Sequence, residues 1–434
     1  MAREMKDSGI EWIGEIPAEW ESKKLKYIVT YNDETLEEST DDEYEFDYID
    51  IGSVQYGKGI VQLQRMTFKD APSRARRIVK ENDVIVSTVR TYLKAVTMIN
   101  ASTIPLVAST GFIVLRAKQN EILSSFLNYA VLSDAFISMI EARSFGISYP
   151  AINATSVVDI SIPLPQIEEQ KSISEFLNTE CSRIDSAIEQ TRASIEEYKK
   201  LKQAVITQAV TKGIRPGRQM KDSGVEWIGQ IPNNWKVHSL GTVTESMRNG
   251  YVGPTKDLFY DEGIRYIQSL HIKDGRIDFS RHEYYVSEEW ANMHPKIKEN
   301  DVLIVQTGDI GNVGLVTKDY DGCNCHALII ATPKTDMINP EFLTYYLRST
   351  IGKELLLYHK TGALLPHLNS GKIKFTDICV PDLMEQQEIV QFLDKEVTKI
   401  DNLITKKETL LTNLESYKKS LIYEYVTGKK EVPA

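Results

Sequence analysis

Basic side chains interleaved with aromatic and amide groups can hold a phosphate backbone and reach base edges, and several short segments of this chain carry that mixture. The segment KDAPSRARRIVK (69–80) gathers Lys69, Arg74, Arg76, Arg77 and Lys80. These suit phosphate contact, with one arginine free to take a guanine edge bidentately, while a solvated basic loop is the alternative reading. VRTYLK (89–94) adds Arg90, Tyr92 and Lys94, and SFGISYPAIN (144–153) adds Ser148, Tyr149 and Asn153. Further along, MRNGYVGPTKD (247–257) mixes Arg248, Asn249, Tyr251, Thr255 and Lys256 with glycines that would let the backbone approach a phosphate. A mobile surface loop is the alternative there. QSLHIKDGR (268–276) contributes Gln268, Ser269, His271 and Lys273, QTGDIGNVG (306–314) contributes Thr307, Gly308 and Asn312, and LPHLN (365–369) contributes His367 and Asn369.

Other chemistries have weaker support. Cys323, Cys325 and His326 in CNCH could suggest a metal enzyme, but one-residue spacing without a second cysteine pair fits packing or turn residues better, and no metal is expected. GNVG (311–314) and GYVG (250–253) lack the frames of phosphate-binding fingerprints. The chain has neither an NPPY-type nor a DPPY-type methyltransferase motif, and no set of carboxylates with lysine spaced like a nuclease site. These absences favour a non-catalytic protein with no cofactor of its own.

The chain has 434 residues, 42% hydrophobic and 26% charged, which is ordinary globular composition. It contains no run of about 18 apolar residues, and its start lacks the apolar core of a signal peptide. Four cysteines do not make a disulfide framework in a chain this long, so a soluble, intracellular protein is expected. The net charge of −10 argues by itself against nucleic acid, but charge is segregated by segment. Residues 31–50 hold ten Asp and Glu and no Lys or Arg. That run reads as a solvated surface loop, with repulsion of DNA or contact with a partner subunit as alternatives.

The elements that must position these residues come in two copies. MKDSGIEWIGEI (5–16) recurs as MKDSGVEWIGQI (220–231), and KENDVIV (80–86) as KENDVLIV (298–305). YPAIN (149–153) faces LPHLN, DISIP (159–163) faces DICVP (377–381), and EFLNTECSRIDSAI (175–188) faces QFLDKEVTKIDNLI (391–404). So extensive a match is an internal duplication. Short runs rich in Val, Ile and Tyr, such as FDYIDIGSV, DVIVSTV, DVLIVQTG and HALIIATP, predict strands. SSFLNYAVLSDAFISMIEA (124–142) and PEFLTYYLRSTIGKELLLY (340–358) each predict one short amphipathic helix.

Heptad stripes then predict a long helix in each copy. Leu177, Ile184, Thr191, Tyr198 and Val205 form one stripe, and Cys181, Ile188, Ile195, Lys202 and Ala209 the other. The second copy gives Leu393, Ile400, Lys407, Leu414 and Leu421 beside Val397, Ile404, Leu411, Lys418 and Tyr425. Thr191, Lys202, Lys407 and Lys418 interrupt the stripes, so the helices should pair with each other rather than stand alone. Pro165 and Pro381 mark the helix starts, and glycine and proline mark the ends.

This layout, with EWIG-x-IP-x-x-W starts (Glu11 to Trp20, Glu226 to Trp235) and EEQ and EQQ helix entries, resembles the specificity (S) subunit of Type I restriction-modification enzymes over essentially the whole chain. The resemblance implies an α+β fold: two mixed α/β target recognition domains separated by two long helices that form an antiparallel coiled coil, related by a pseudo-two-fold. The expected boundaries are 1–165 and 236–381 for the recognition domains, 166–212 and 382–428 for the helices, and 213–235 for the linker and second start. It also implies double-stranded DNA as ligand, two methyltransferase (M) subunits and, through them, restriction (R) subunits as partners. S-adenosylmethionine and ATP are expected only on those partners, and the location is the cytoplasm of a bacterium or archaeon. A helix of about 45 residues is about 68 Å long, enough to space two half-sites along DNA. Because 31–75 and 245–295 share little while the frame recurs, the target should be split and asymmetric. The rival reading is a coiled-coil scaffold whose globules bind protein.

Overall fold

The computed structural model describes residues 3–10, 12–362 and 366–433. Glu11 of the first repeated start and Leu365 of LPHLN lie outside the described residues. Contacts divide the chain into two units, Met1–Arg192 with Thr409–Ala434, and Ala193–Glu408. The first long helix is Ile167–Lys212 and the second Leu383–Val426, so each unit holds one globule, the first part of the helix that follows it and the last part of the other helix.

Each globule is built on the same four-stranded antiparallel sheet. In the first unit the order is Val96–Met98, Val84–Ser87, Phe112–Ala117, Val29–Tyr31. In the second it is Val313–Leu315, Val302–Val305, Leu328–Pro333, Thr244–Asn249. The strand Val84–Ser87 is buried on both faces because alternate side chains enter two different cores. Val84 and Val86 join Phe126, Phe136 and the long helix, while Ile85 joins Ile49, Leu106 and Ala108. Val302 and Ile304 against Leu303 and Val305 repeat that division. A second sheet covers the other face. Its parallel pair is Glu45–Ile49 with Leu106–Ser109 in one unit and Ile264–Ile267 with Asn324–Cys325 in the other.

The repeated motifs are frame. Asn82 and Asn300 sit at φ of 70° and 72°, in the left-handed turn of KENDV, and the buried Asp83 and Asp301 accept the backbone N–H of Lys80 and Lys298 at 2.9 and 2.8 Å. Gln170 and Gln386, from the EEQ and EQQ entries, are fully buried. Gln170 accepts from Leu123 N and donates to the carbonyls of Glu121 and Pro165. Gln386 does the same with Asn339, Met337 and Pro381. At the same helix starts, Glu169 accepts from Trp20 Nε1 at 2.8 Å and pairs with Arg3, while Glu385 pairs with Arg218 beside Trp235. Burial pushes the Glu385 carboxyl up, but the Arg218 hydrogen bond and charge outweigh it and hold the group below its usual range.

Two expectations need correction. Residues 124–142 and 340–358 are each two helices: Ser124–Leu132 and Asp134–Ala142, then Pro340–Arg348 and Thr350–Tyr358. Ser133 and Ser349 take extended backbone and their hydroxyls cap the next helix, which breaks the run where the apolar periodicity does not. The acidic run 31–50 is not simply a solvated loop either. Glu45–Ile49 is a strand, and Asp47, Asp50 and Glu34 pair with Arg65, Arg74 and Lys80.

The long helices pair antiparallel within each unit, as the ascending and descending partners Phe176–Tyr425, Asp185–Lys418 and Arg192–Glu415 show. In the second unit Ile195 packs with Ile400 and Ile404, and Lys202 donates to Asp401 at 2.8 Å. Lys202 and Lys418, polar interruptions in the sequence pattern, are thus ion-paired positions that fix helix register. Glycine ends both helices at positive φ, Gly213 at 74° and Gly428 at 70°, and a Cβ on Gly428 would stand 2.4 Å from Pro17.

Candidate nucleic-acid interface

At one edge of the first globule three loops close on one another. Thr88 N donates to Gly111 O at 2.7 Å, Thr110 N to Arg74 O at 2.7 Å, and Ile152 N to Thr88 O at 2.8 Å. Val89 and Phe145 both bridge to Ala151, and Thr91 and Ser144 share a hydroxyl hydrogen bond of 3.0 Å. Arg90 and Lys94 flank a short 3₁₀ turn in left-handed backbone, each at φ of 51°. The Arg90 guanidinium stands 5.2 Å from the centroid of the Tyr149 ring, and Lys94 pairs with Glu141. Arg74, Arg90, Asp50 and Thr110 line a shallow cavity of about 260 Å³. Tyr92, Ser148, Tyr149 and Asn153 are exposed on the same loops.

The basic segment 69–80 does not act as one patch. Ala75–Val79 is a strand, so Arg76 and Arg77 point to opposite faces. Arg76 lies over the Phe68 ring, and burial lowers the pKa of Arg77, whose Nε is buried with no hydrogen-bond partner. Lys80, at the far end of the strand, pairs with Glu34, and Lys69 is exposed in the turn before it. Only Arg74 reaches the loop edge, where the Tyr48 hydroxyl and Asp50 hold it at 3.1 and 3.3 Å.

The second globule builds the equivalent edge with different residues. Thr307 bridges to His367, in the position of Val89 and Ala151, and Leu368 N donates to Gln306 O at 3.0 Å. His367 also bridges to Thr361 and shares a 3.1 Å hydrogen bond with its hydroxyl. Asn312 accepts from Lys353 at 3.0 Å, Asn369 caps the helix Ser370–Ile373, and Gly308 is exposed at φ of 81°. Asn249, the last residue of the strand Thr244–Asn249, is exposed, and on the loop that follows Lys256 is exposed and Thr255 half-buried.

Several second-unit candidates are frame. Arg248 donates to Lys296 O at 2.6 Å and lies 3.8 Å from the buried Asp301. His271 is fully buried, accepting from Gln268 N, bonded to His282 O and stacked on Phe279, and desolvation lowers its pKa. Ser269 begins the same 3₁₀ turn. Lys273 belongs to the hairpin Ile272–Lys273/Arg276–Ile277, whose Asp274 approaches Lys202 of the long helix. Gly250 and Gly253 have packing reasons, since a Cβ would meet Cys325 and the Tyr251 ring. Cys323 and Cys325 lie in an apolar core, and burial pushes the Cys325 thiol up to about 12. His326 instead faces Tyr251 and Tyr266, so the CNCH residues do not converge.

Two groups escaped the sequence reading. Trp290 and His294, whose rings stack at 3.8 Å, both meet the candidate Tyr251 edge-on at 5.0 Å. Trp290 lies on the helix Glu288–Met293 and His294 is the residue that ends it, so their four-residue spacing was the available signal. Phe145 and Ile147, on SFGISYP, are among the most exposed apolar side chains of the described residues.

The family model for the Type I restriction modification DNA specificity domain matches residues 17–197 and again 232–413. The chain belongs to this family. As a specificity-domain protein it is a recognition component rather than an enzyme. Among its relatives, the Type I restriction enzyme EcoBI specificity subunit of Escherichia coli is 27% identical over 62% of this chain and 58% of its own length. The putative type I restriction enzyme MjaX specificity subunit of Methanocaldococcus jannaschii is 25% identical over 96% of this chain and 95% of its own. A solved chain from a study of complex assembly and conformational transition in the type I R-M system shares the fold, with a TM-score of 0.77 at 21% identity, covering 96% of this chain and 99% of that one. The HsdS subunit of Thermoanaerobacter tengcongensis matches with a TM-score of 0.54 at 22% identity over 96% and 98%. No described helix is long and apolar enough to cross a membrane.

Proposed function

We propose that each globule of this specificity-domain protein reads one half of a split, asymmetric DNA target, and that the chain positions two adenine methyltransferase subunits, and through them restriction subunits, on that target in the cytoplasm. The observation that carries this reading is the paired edge. The same bridge, Val89–Ala151 and Thr307–His367, closes the same two loops in both units, while the side chains displayed there differ. Arg74, Arg90, Tyr92 and Tyr149 form the first reading surface, and Thr307, His367, Asn249 and Lys256 the second. Arginine over tyrosine suits a guanine edge or a phosphate, whereas threonine and histidine on a glycine-bearing turn suit a different half-site. The net charge of −10 is tolerable if the partners supply much of the backbone contact, so the isolated chain should bind DNA poorly. S-adenosylmethionine and ATP would sit on those partners.

The test is to co-purify the chain with its methyltransferase subunit and map methylated adenines across a genome. A split motif with two unlike halves is expected. A single continuous palindrome would overturn the reading. A chain that binds no methyltransferase would favour the protein-scaffold rival.

A further inference from the structure

The repeated start is a hairpin, Met5–Asp7 with Glu15–Pro17 and Met220–Asp222 with Gln230–Pro232, whose apolar residues divide into two groups. Ile13 and Ile16, like Ile228 and Ile231, enter the core. Trp12 and Trp227 do not: they stand at the tip, 53% and 57% exposed. The tip is rigid and identically built in both copies. Asp7 and Asp222 accept from Gly9 and Gly224 at 2.9 Å, and Ser8 and Ser223 from Ile10 and Val225 at 3.0 and 3.1 Å. Ser8 N and Ser223 N close the turn on Gly14 O and Gly229 O at 2.8 and 2.9 Å. Underneath, Lys429, just past the end of the second long helix, donates from Nζ to Ile13 O of the first hairpin, and Arg218, just before the second hairpin, donates to Glu385 at the start of that helix.

Keeping a tryptophan in water at two matched places contributes nothing to either core. A rigidly held, exposed Trp is a favourable anchor for a protein partner, because its burial releases a large apolar area and little side-chain freedom is lost. The internal comparison selects the partner. Surfaces that read DNA differ between the units, whereas this one is the same in both, so its ligand is also the same in both. DNA backbone would be the same too, but the tip carries no excess of positive charge: Asp7 and Glu15 stand beside Lys6 and Lys429 in one copy, and Asp222 and Glu226 beside Lys221 in the other. A tip without a positive field offers phosphate no attraction, and its exposed ring suits an apolar pocket on a protein.

We infer that Trp12 and Trp227 are the two docking anchors for the methyltransferase subunits, each inserting into the same apolar pocket on one copy of the enzyme. The inference rests on the functional reading above and adds the surface. The experiment uses the full chain co-expressed with the methyltransferase that co-purifies with it. Trp12→Ala and Trp227→Ala should each reduce the methyltransferase stoichiometry from two to one by native mass spectrometry. The double variant should weaken association about 30-fold or more, with an unchanged melting curve. Trp12→Phe with Trp227→Phe should restore most of it. Hydroxyl-radical footprinting of the wild-type complex without DNA should show both tryptophans protected. Full stoichiometry and affinity in the double alanine variant, or protection that appears only when DNA is added, would overturn the docking role while leaving the functional reading intact. A wild-type chain that binds no methyltransferase would overturn both.

Discussion

The two units share a skeleton and differ at its edge. In the first, a five-residue strand, Ala75–Val79, flanks the parallel pair and delivers Arg74 to the loop cluster, where Arg90 and Tyr149 stack in the open. In the second, the matching place holds a single bridge, Lys296 to Asn324, and the neighbouring space is filled by Tyr251, Trp290, His294 and His326. The buried groups behind both edges correspond nearly one for one: Trp20 and Trp235, Gln170 and Gln386, Asp83 and Asp301. Duplication preserved what satisfies buried polar atoms and fills the core, and left free what meets a ligand.

The largest effect that could break this comparison lies in the core. Trp20→Ala and Trp235→Ala should each cost about 3–5 kcal/mol, and only in the unit that carries the change. Chemical denaturation of the full chain checks this, and equal loss from both units would mean they do not fold as separable bodies. Gln170→Ala and Gln386→Ala should cost about 1–3 kcal/mol each, because both orphan the same kind of buried backbone partners. Unequal losses, read by the same denaturation, would show that one entry is less well packed than the other.

At the edge, Arg90→Ala in the assembled complex should weaken DNA binding by about 1–3 kcal/mol or flatten the salt dependence by about one ion, with unchanged folding. Arg76→Ala should do neither, since that side chain is held over Phe68. Binding titrations at several salt concentrations separate the two. In the coil, Lys418→Met should destabilise more than Lys202→Met, by about 1 kcal/mol, because Lys418 holds both Asp185 oxygens at 2.7 Å and donates to Gly57 O at 3.2 Å, whereas the second partner of Lys202, Asp274, stands 3.8 Å away. Equal melting shifts would remove that asymmetry. The smallest effect is acid sensitivity at Glu385. Its folded pKa lies below the ordinary 4.5, so the Arg218 pair stabilises above the unfolded value and is lost as pH falls through the folded one. Glu385→Gln should therefore narrow its stability gap to the wild type as the medium is acidified below about pH 4.

The frame was legible because it is written twice. Heptad stripes located both long helices, and the repeated KENDV and EEQ/EQQ segments marked positions that prove to be buried turns and helix entries. The site was legible only as loops. The pattern 69–80 looked like one basic cluster, yet strand alternation and pairing with Glu34 and Asp50 scattered it. MRNGYVG looked like a flexible phosphate loop, yet Arg248 turns inward to Asp301 and Gly250 makes room for Cys325. The break at Ser133 and Ser349 was hidden because apolar periodicity continues across it, and only the capping hydrogen bonds end the helix.

By itself the sequence determined that there are two equivalent halves, where their long helices run, and that those two helices must pair, since periodicity and repetition are properties of the chain. Tertiary structure alone decided which charged and aromatic groups remain available to a ligand. Whether an arginine is spent on an aspartate, stacked on an aromatic ring or left facing outward depends on partners tens or hundreds of residues away, and no local pattern contains them.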